Sequence, residues 1–151
     1  MLGESVEKIR ELKKRDGKPF SVIAPSKEWV WENCVDDEKV EAWLSKLPGP
    51  YTFILELKNK NCVAGEVNCF GESLGVRIPD HFISKIVEKA GVAFVTTSVN
   101  VSGEKPVTEI DEIADEMRGK IDIAINQGEL KGEPSKVVFL VKGEEKVLRE
   151  L

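Results

Sequence analysis

Thr96-Thr97-Ser98-Val99-Asn100-Val101-Ser102-Gly103 is the stretch on which the reading of this chain turns. Just before it, Val92-Ala93-Phe94-Val95 is a short run of apolar, partly β-branched and aromatic residues, the pattern of a buried strand. The apolar side chains then stop. Hydroxyls and an amide follow, and a Ser-Gly turn closes the segment. A buried strand ending in Thr, Ser and Asn sets donors and acceptors at the rim of a sheet, and ligands of α/β proteins collect at the carboxyl ends of strands. A strand end with ordinary polar turn chemistry would look the same, so the neighbouring segments carry the decision.

Toward the N-terminus, Leu74-Gly75-Val76-Arg77-Ile78-Pro79 reads as a strand with one charge. An arginine among apolar strand residues is costly to bury unpaired, so its head either reaches solvent or meets an anion. Pro79 ends that strand, and Asp80 is placed to cap a helix whose buried face is Ile83, Ile86, Val87 and Ala90, with Gly91 beyond its end. His81, the single histidine, falls in its first turn and reads as a surface residue rather than a catalyst. Earlier still, Tyr51 to Leu57 is a strand, and Leu47-Pro48-Gly49-Pro50 is a stiff turn that stops a helix begun at Asp37. Ser26 caps a short helix through Asn33. Phe20 to Ala24 is a strand, and Glu4 to Lys14 a helix with Val6, Ile9 and Leu12 on one face. That helix ends in Lys13-Lys14-Arg15, followed by Asp16-Gly17-Lys18. Clustered cations there suit either a solvated helix end or a phosphate site.

Toward the C-terminus, Thr108 to Asp111 reads as a capping box opening a helix with Ile110, Ile113, Ala114 and Met117 inside. Ile121 to Ile125 and Val137 to Val141 read as strands, and a last strand delivers Arg149. Alternating strands and helices predict an α/β layered domain over residues 1–151, with a twisted mixed sheet and flanking helices. No helix separates the Tyr51 strand from the one that follows, so part of the sheet is expected to be antiparallel.

The chain has 151 residues, 41% of them hydrophobic and 32% charged, which fits a globular domain rather than a disordered segment. A net charge of −5 argues against broad electrostatic attachment to nucleic acid. Three cysteines without CxxC spacing indicate neither a disulfide framework nor a zinc site, and no apolar run is long enough to span a membrane. A reduced cytoplasm is the expected setting.

Six segments, in order along the chain, resemble one family, the YrdC-type threonylcarbamoyl-AMP synthases. Lys13-Lys14-Arg15 with Lys18-Pro19 is similar to their KxR…KP segment, and Leu47-Pro48-Gly49-Pro50-Tyr51-Thr52 to LPGP(V/Y)T. Gly75-Val76-Arg77-Ile78-Pro79-Asp80-His81 resembles VRxPxH, and Thr97 to Gly103 resembles TSAN-x-SG. Pro134-Ser135-Lys136-Val137-Val138 is similar to PSTVVD, and Leu148-Arg149 to LRxG; Lys136 and Leu151 depart from the last two patterns.

The resemblance implies a YrdC-like fold and the condensation of L-threonine, bicarbonate and ATP, with Mg²⁺, to threonylcarbamoyl-AMP and pyrophosphate. The product feeds a threonylcarbamoyl-transferase complex that modifies tRNA. It assigns Arg15, Lys18, Ser73, Asn100, Thr108 and Arg149 to ATP, and Arg77, Ser98 and Ser135 to threonine. The catalytic pairs are Lys13 with Arg15 and Ser98 with Asn100; no protein-bound metal and no prosthetic group is implied. A tRNA- or double-stranded-RNA-binding module and an inactive paralogue are the alternative functions. Family members begin with a strand reading roughly PTET-x-YGLG, and Met1-Leu2-Gly3 stands where that segment would end. A chain shortened there is expected to self-associate or to need a partner segment, and to turn over poorly or not at all.

Overall fold

Ser73-Leu74-Gly75-Val76-Arg77 alternates apolar residues with small, polar or charged ones, and a strand sends successive side chains to opposite faces. Such a strand builds a sheet with one oily face and one polar face. The computed structural model, which describes residues 2–150, has that sheet at its centre. In chain order it runs α1 (Leu2–Lys13), β1 (Ser21–Ile23), α2 (Lys27–Asn33), α3 (Glu38–Leu44), β2 (Tyr51–Glu56), β3 (Ser73–Arg77), α4 (Phe82–Ala90), β4 (Phe94–Thr96), α5 (Asp115–Arg118), β5 (Lys136–Leu140) and β6 (Lys146–Arg149). The strand order is β4-β1-β3-β2-β5-β6. β1 with β3 and β2 with β5 are parallel pairs, and the other pairs are antiparallel, as the missing helix between β2 and β3 predicts.

The registers line up one apolar row across all six strands: Val95, Val22, Val76, Phe53, Val138, Val147. Val22, Val76, Phe53 and Val138 are wholly buried, with Leu55 and Leu74 on the same face. Helices close over that face. Val6 of α1, Val30 of α2, and Val40 and Leu44 of α3 join the same hydrophobic cluster. Two of these helices, α2 and α3, start at a side-chain cap. The Ser26 hydroxyl accepts from the Trp29 amide at 3.2 Å, and an Asp37 oxygen accepts from Lys39 and Val40, both at 2.9 Å.

The second half of the chain departs from the sequence reading in four places. β4 is an edge strand, half-buried rather than buried, and starts at Phe94; Val92, read as part of the strand, is 57% exposed. α4 is capped by the His81 ring, whose Nδ1 accepts from the Ile83 amide, and not by Asp80. On α4 only Val87 is buried, while Ile86 and Ala90 face outward. Thr108 to Met117 is not one helix but a 3-10 turn (Ile110–Glu112) followed by α5, with Glu109 and Glu112 forming the capping box. Ile121 to Ile125 is not a strand: it has the alternation but pairs with no neighbour among the described residues. Leu151, which departs from the LRxG pattern, lies outside the described residues.

Candidate active site

The face opposite the core is the floor of the site. One register row on it is Thr96, Ser21, Gly75 and Ile54, and the next carries Arg77, Thr52, Val137 and Arg149. A cleft of about 510 Å³ stands over this floor. Its walls are the turn after α1 (Arg15, Pro19), the loop after β4 (Thr97, Ser98, Pro106) and the approach to β5 (Pro134, Ser135). Gly75 keeps the floor thin. A Cβ there would meet the Ser21 Cβ at 3.0 Å, tighter than ordinary packing, so a side chain would fill the middle of the cleft.

Among the described residues, three arginines line the cleft and no carboxylate side chain does. Among the described residues, Arg15, Arg77 and Arg149 take part in no ion pair. Arg15 and Arg77 each also keep a buried Nε with no hydrogen-bond partner. Burial, and then the neighbouring Arg149, pull the Arg77 pKa below its usual value. Burial, and then Arg10, do the same to Arg15, with Cys69 acting in the opposite direction. Partly buried cations held near one another without counter-charges favour an anion between them. Arg149 is held by the β5 approach: its Nε and Nη2 donate to the Ser135 carbonyl at 2.9 and 2.6 Å. The Ser135 hydroxyl in turn lies 2.8 Å from that of Thr52.

Of the ten residues expected from sequence, Arg15, Ser73, Arg77, Ser98, Ser135 and Arg149 come together on the cleft. The other four do not line it. Lys13 sits behind the loop that follows β4, only 4% exposed. Its ammonium donates to the Ser98 carbonyl at 2.5 Å and to the Asn100 carbonyl and Oδ1, both at 2.8 Å. An ammonium has three protons, so none is left for a ligand. Burial, and then Arg15, lower its pKa. The Lys13 carbonyl also accepts from the Ser102 amide at 2.9 Å, so one residue ties α1 to both ends of the loop. The Asn100 amide is committed to the same loop: Oδ1 accepts from the Ser98 hydroxyl at 2.6 Å, and Nδ2 donates to the Glu104 carbonyl at 2.7 Å. Lys18 is exposed, and the backbone N–H of Thr108 is held by Glu112 at 2.7 Å.

Sequence reasoning missed Ser21, Thr52 and Gly75, all of which line the cleft. Their signal was available: each is a small or polar residue alternating with core residues in a strand that also carries a buried row. Among the described residues no cluster of three or more His, Cys, Asp or Glu side chains is placed to hold a metal ion.

A mixed sheet with helices packed on one face and an open arginine-and-hydroxyl cleft on the other defines an α/β protein with a cationic cleft over its sheet. The chain belongs to the Sua5/YciO/YrdC family, whose sequence model, described as telomere recombination, matches residues 2–150. It is 33% identical over 140 residues to a Methanocaldococcus jannaschii chain named "Putative threonylcarbamoyl-AMP synthase", covering 89% of this chain and 64% of that one. It is 29% identical over 144 residues to the threonylcarbamoyl-AMP synthase of Vibrio campbellii, covering 89% and 75%. Among solved structures it resembles P. abyssi Sua5 complexed with L-threonine, with a TM-score of 0.84 at 27% identity, over 97% of this chain and 44% of that one. The chain thus spans a little under two thirds of the first of these relatives and under half of Sua5. No helix among the described residues is long and apolar enough to cross a membrane.

Proposed function

We propose that this chain is an L-threonylcarbamoyladenylate synthase domain, joining L-threonine, bicarbonate and ATP into threonylcarbamoyl-AMP and releasing pyrophosphate. The observation that carries this reading is the cleft lined, among the described residues, by three arginines and no carboxylate side chain, set beside hydroxyls on the floor of the sheet. The threonine amine adds to bicarbonate with loss of water to give a carbamate. A carbamate oxygen then attacks the α-phosphorus, and pyrophosphate leaves with its electron pair. Negative charge builds on the phosphates throughout, and fixed guanidinium groups stabilise it without reorganising.

Arg77 supplies a fork for the threonine carboxylate, with Ser98 and Ser135 on either side. Arg15 and Arg149 face the phosphates. Lys13 acts at one remove, by holding the Ser98 and Asn100 carbonyls in place. Lys18 and Thr108 stand outside the cleft and would reach a nucleotide only from its rim. Magnesium enters as part of the substrate, on the phosphates of ATP, since no carboxylate in the cleft is available to ligate it. The product would pass to a transferase complex that acts on tRNA.

The test is pyrophosphate release from ATP, followed with and without threonine and bicarbonate, with the adenylate identified by mass. Release that requires all three substrates supports the reading. Release indifferent to threonine overturns it. A tRNA titration across salt separates the competing function: tight binding with a steep salt slope and no adenylate would make the domain an RNA-binding module instead.

A further inference from the structure

Arg10 belongs to none of the six motifs, yet it is the most heavily bonded side chain beside the cleft. Its side chain is 11% exposed, on the last turn of α1, and every edge of its guanidinium is occupied. Nη1 donates to the Lys18 carbonyl at 2.8 Å and lies 3.5 Å from the Arg15 carbonyl. Nη2 donates to the Glu66 carbonyl at 2.5 Å and to the Cys69 sulfur at 3.2 Å. Nε faces Glu7 at 3.5 Å, and Cζ lies over the Phe20 ring, 4.7 Å from its centroid. The Arg10 carbonyl also accepts from the Arg15 amide at 3.0 Å.

What these bonds hold is the turn that presents Arg15 to the cleft. That turn is not self-supporting: Lys14 and Gly17 both have positive φ, 48° and 61°, and residues 16–19 are exposed. The Arg15 head has one direct tether, Nη2 to the Pro19 carbonyl at 2.8 Å, and shares the Phe20 ring with Arg10 at 4.9 Å. We propose that Arg10 is a positioning residue: a guanidinium clamp that fixes the 14–19 turn, and with it the Arg15 head, in the geometry that receives a polyphosphate. This rests on the phosphate-binding reading of Arg15 given above. A lysine cannot replace it, because one ammonium cannot reach the Arg15 and Lys18 carbonyls on one side and the Glu66 carbonyl and Cys69 sulfur on the other in a single plane.

Tripolyphosphate is the probe, titrated by calorimetry into the chain and into R10M, R10K, R15M and R10M/R15M. R10M and R10K are both expected to bind about tenfold more weakly. The double variant is expected to bind no more weakly than R15M alone, since a clamp has nothing to position once the Arg15 head is gone. R10K binding like the wild type would show that only charge matters, and would overturn the proposal. So would additive losses in the double variant. If R10M loses its thermal transition, R10K with R10K/R15M carries the same comparison. A wild-type chain that binds tripolyphosphate but makes no adenylate removes the synthase reading and leaves the Arg10 result standing on its own. A wild-type chain that does not bind it overturns the clamp.

Discussion

Residues 20–78 and residues 79–134 are adjacent stretches of comparable length, folded by different means. The first contains most of the buried cluster, including Phe53, Leu55, Leu74 and Val76, and its helices carry side-chain caps from Ser26 and Asp37. In the second only Val87 and Ile113 are buried. What gives the second stretch its shape near the cleft is hydrogen bonding, above all the Lys13 ammonium beneath the loop after β4. Apolar packing tolerates many sequences of similar volume, whereas a polar latch depends on single atoms. The floor of the cleft therefore rests on packing, and one of its walls rests on a latch.

The largest test of this contrast is Phe53→Ala. Phe53 is wholly buried in the row that crosses the sheet, and the change should destabilise the fold by about 3–5 kcal/mol in urea unfolding. An effect under ~1 kcal/mol would mean that the core row is not what holds the sheet together.

A second test uses alkaline pH. Burial, and then Cys62, push the Cys34 thiol up to about 12 from its ordinary value near 9. The folded chain keeps a proton there that the unfolded chain gives up, so this stabilisation is complete below pH 9 and is lost as pH rises toward 12. Wild type should lose about 1.4 kcal/mol per pH unit more than Cys34→Ala across that window. Parallel stability–pH curves would refute it.

Lys13→Met probes the latch. It strands three acceptors, and a loss of about 1–3 kcal/mol is expected, confined to the loop. Hydrogen exchange should quicken at the Ser102 amide, which bonds the Lys13 carbonyl, while amides of β2 stay protected. Uniform loss of protection would erase the distinction between the two stretches.

The smallest effect runs the other way. Arg77→Met removes a cation that has no ion-pair partner, and stability should be unchanged or rise by about 1 kcal/mol while the response to threonine disappears. A marked fall in melting temperature would show that Arg77 supports the sheet.

The packed stretch is the one that sequence describes well. Ser26 and Asp37 cap the helices they were expected to cap, and β2 and β3 pair antiparallel, because caps and alternation are local properties read over a few residues. The second stretch is less legible for physical reasons. Ile121-Asp122-Ile123-Ala124-Ile125 has a strand's alternation, but alternation describes a face and not a partner, and Ile123 is 80% exposed. Ile86 matches the helical period of Val87's face yet lies outside it, since the width of the buried stripe depends on what packs there. At the cleft, the resemblance pointed to Lys13 and Arg15 alike, but no spacing rule reveals that one faces the ligand side and the other the back of a loop 85 residues away. Thr52 and Ser21 were readable from alternation alone, once the buried row is used to decide which face is which.

The three unpaired arginines bear on how the protein behaves in any buffer. If the cleft takes a nucleotide as proposed, its uncompensated positive charge should attract inorganic anions as well, and a nucleotide titration is then expected to read as a displacement rather than a simple addition. Affinity for ATP measured in phosphate or sulfate should look weaker than in a buffer of bulky, singly charged anions. The heat of binding should differ between the two as well, because a different ion is released in each case. On the proposed function, the same competition would raise the nucleotide concentration needed to fill the cleft wherever phosphate is abundant.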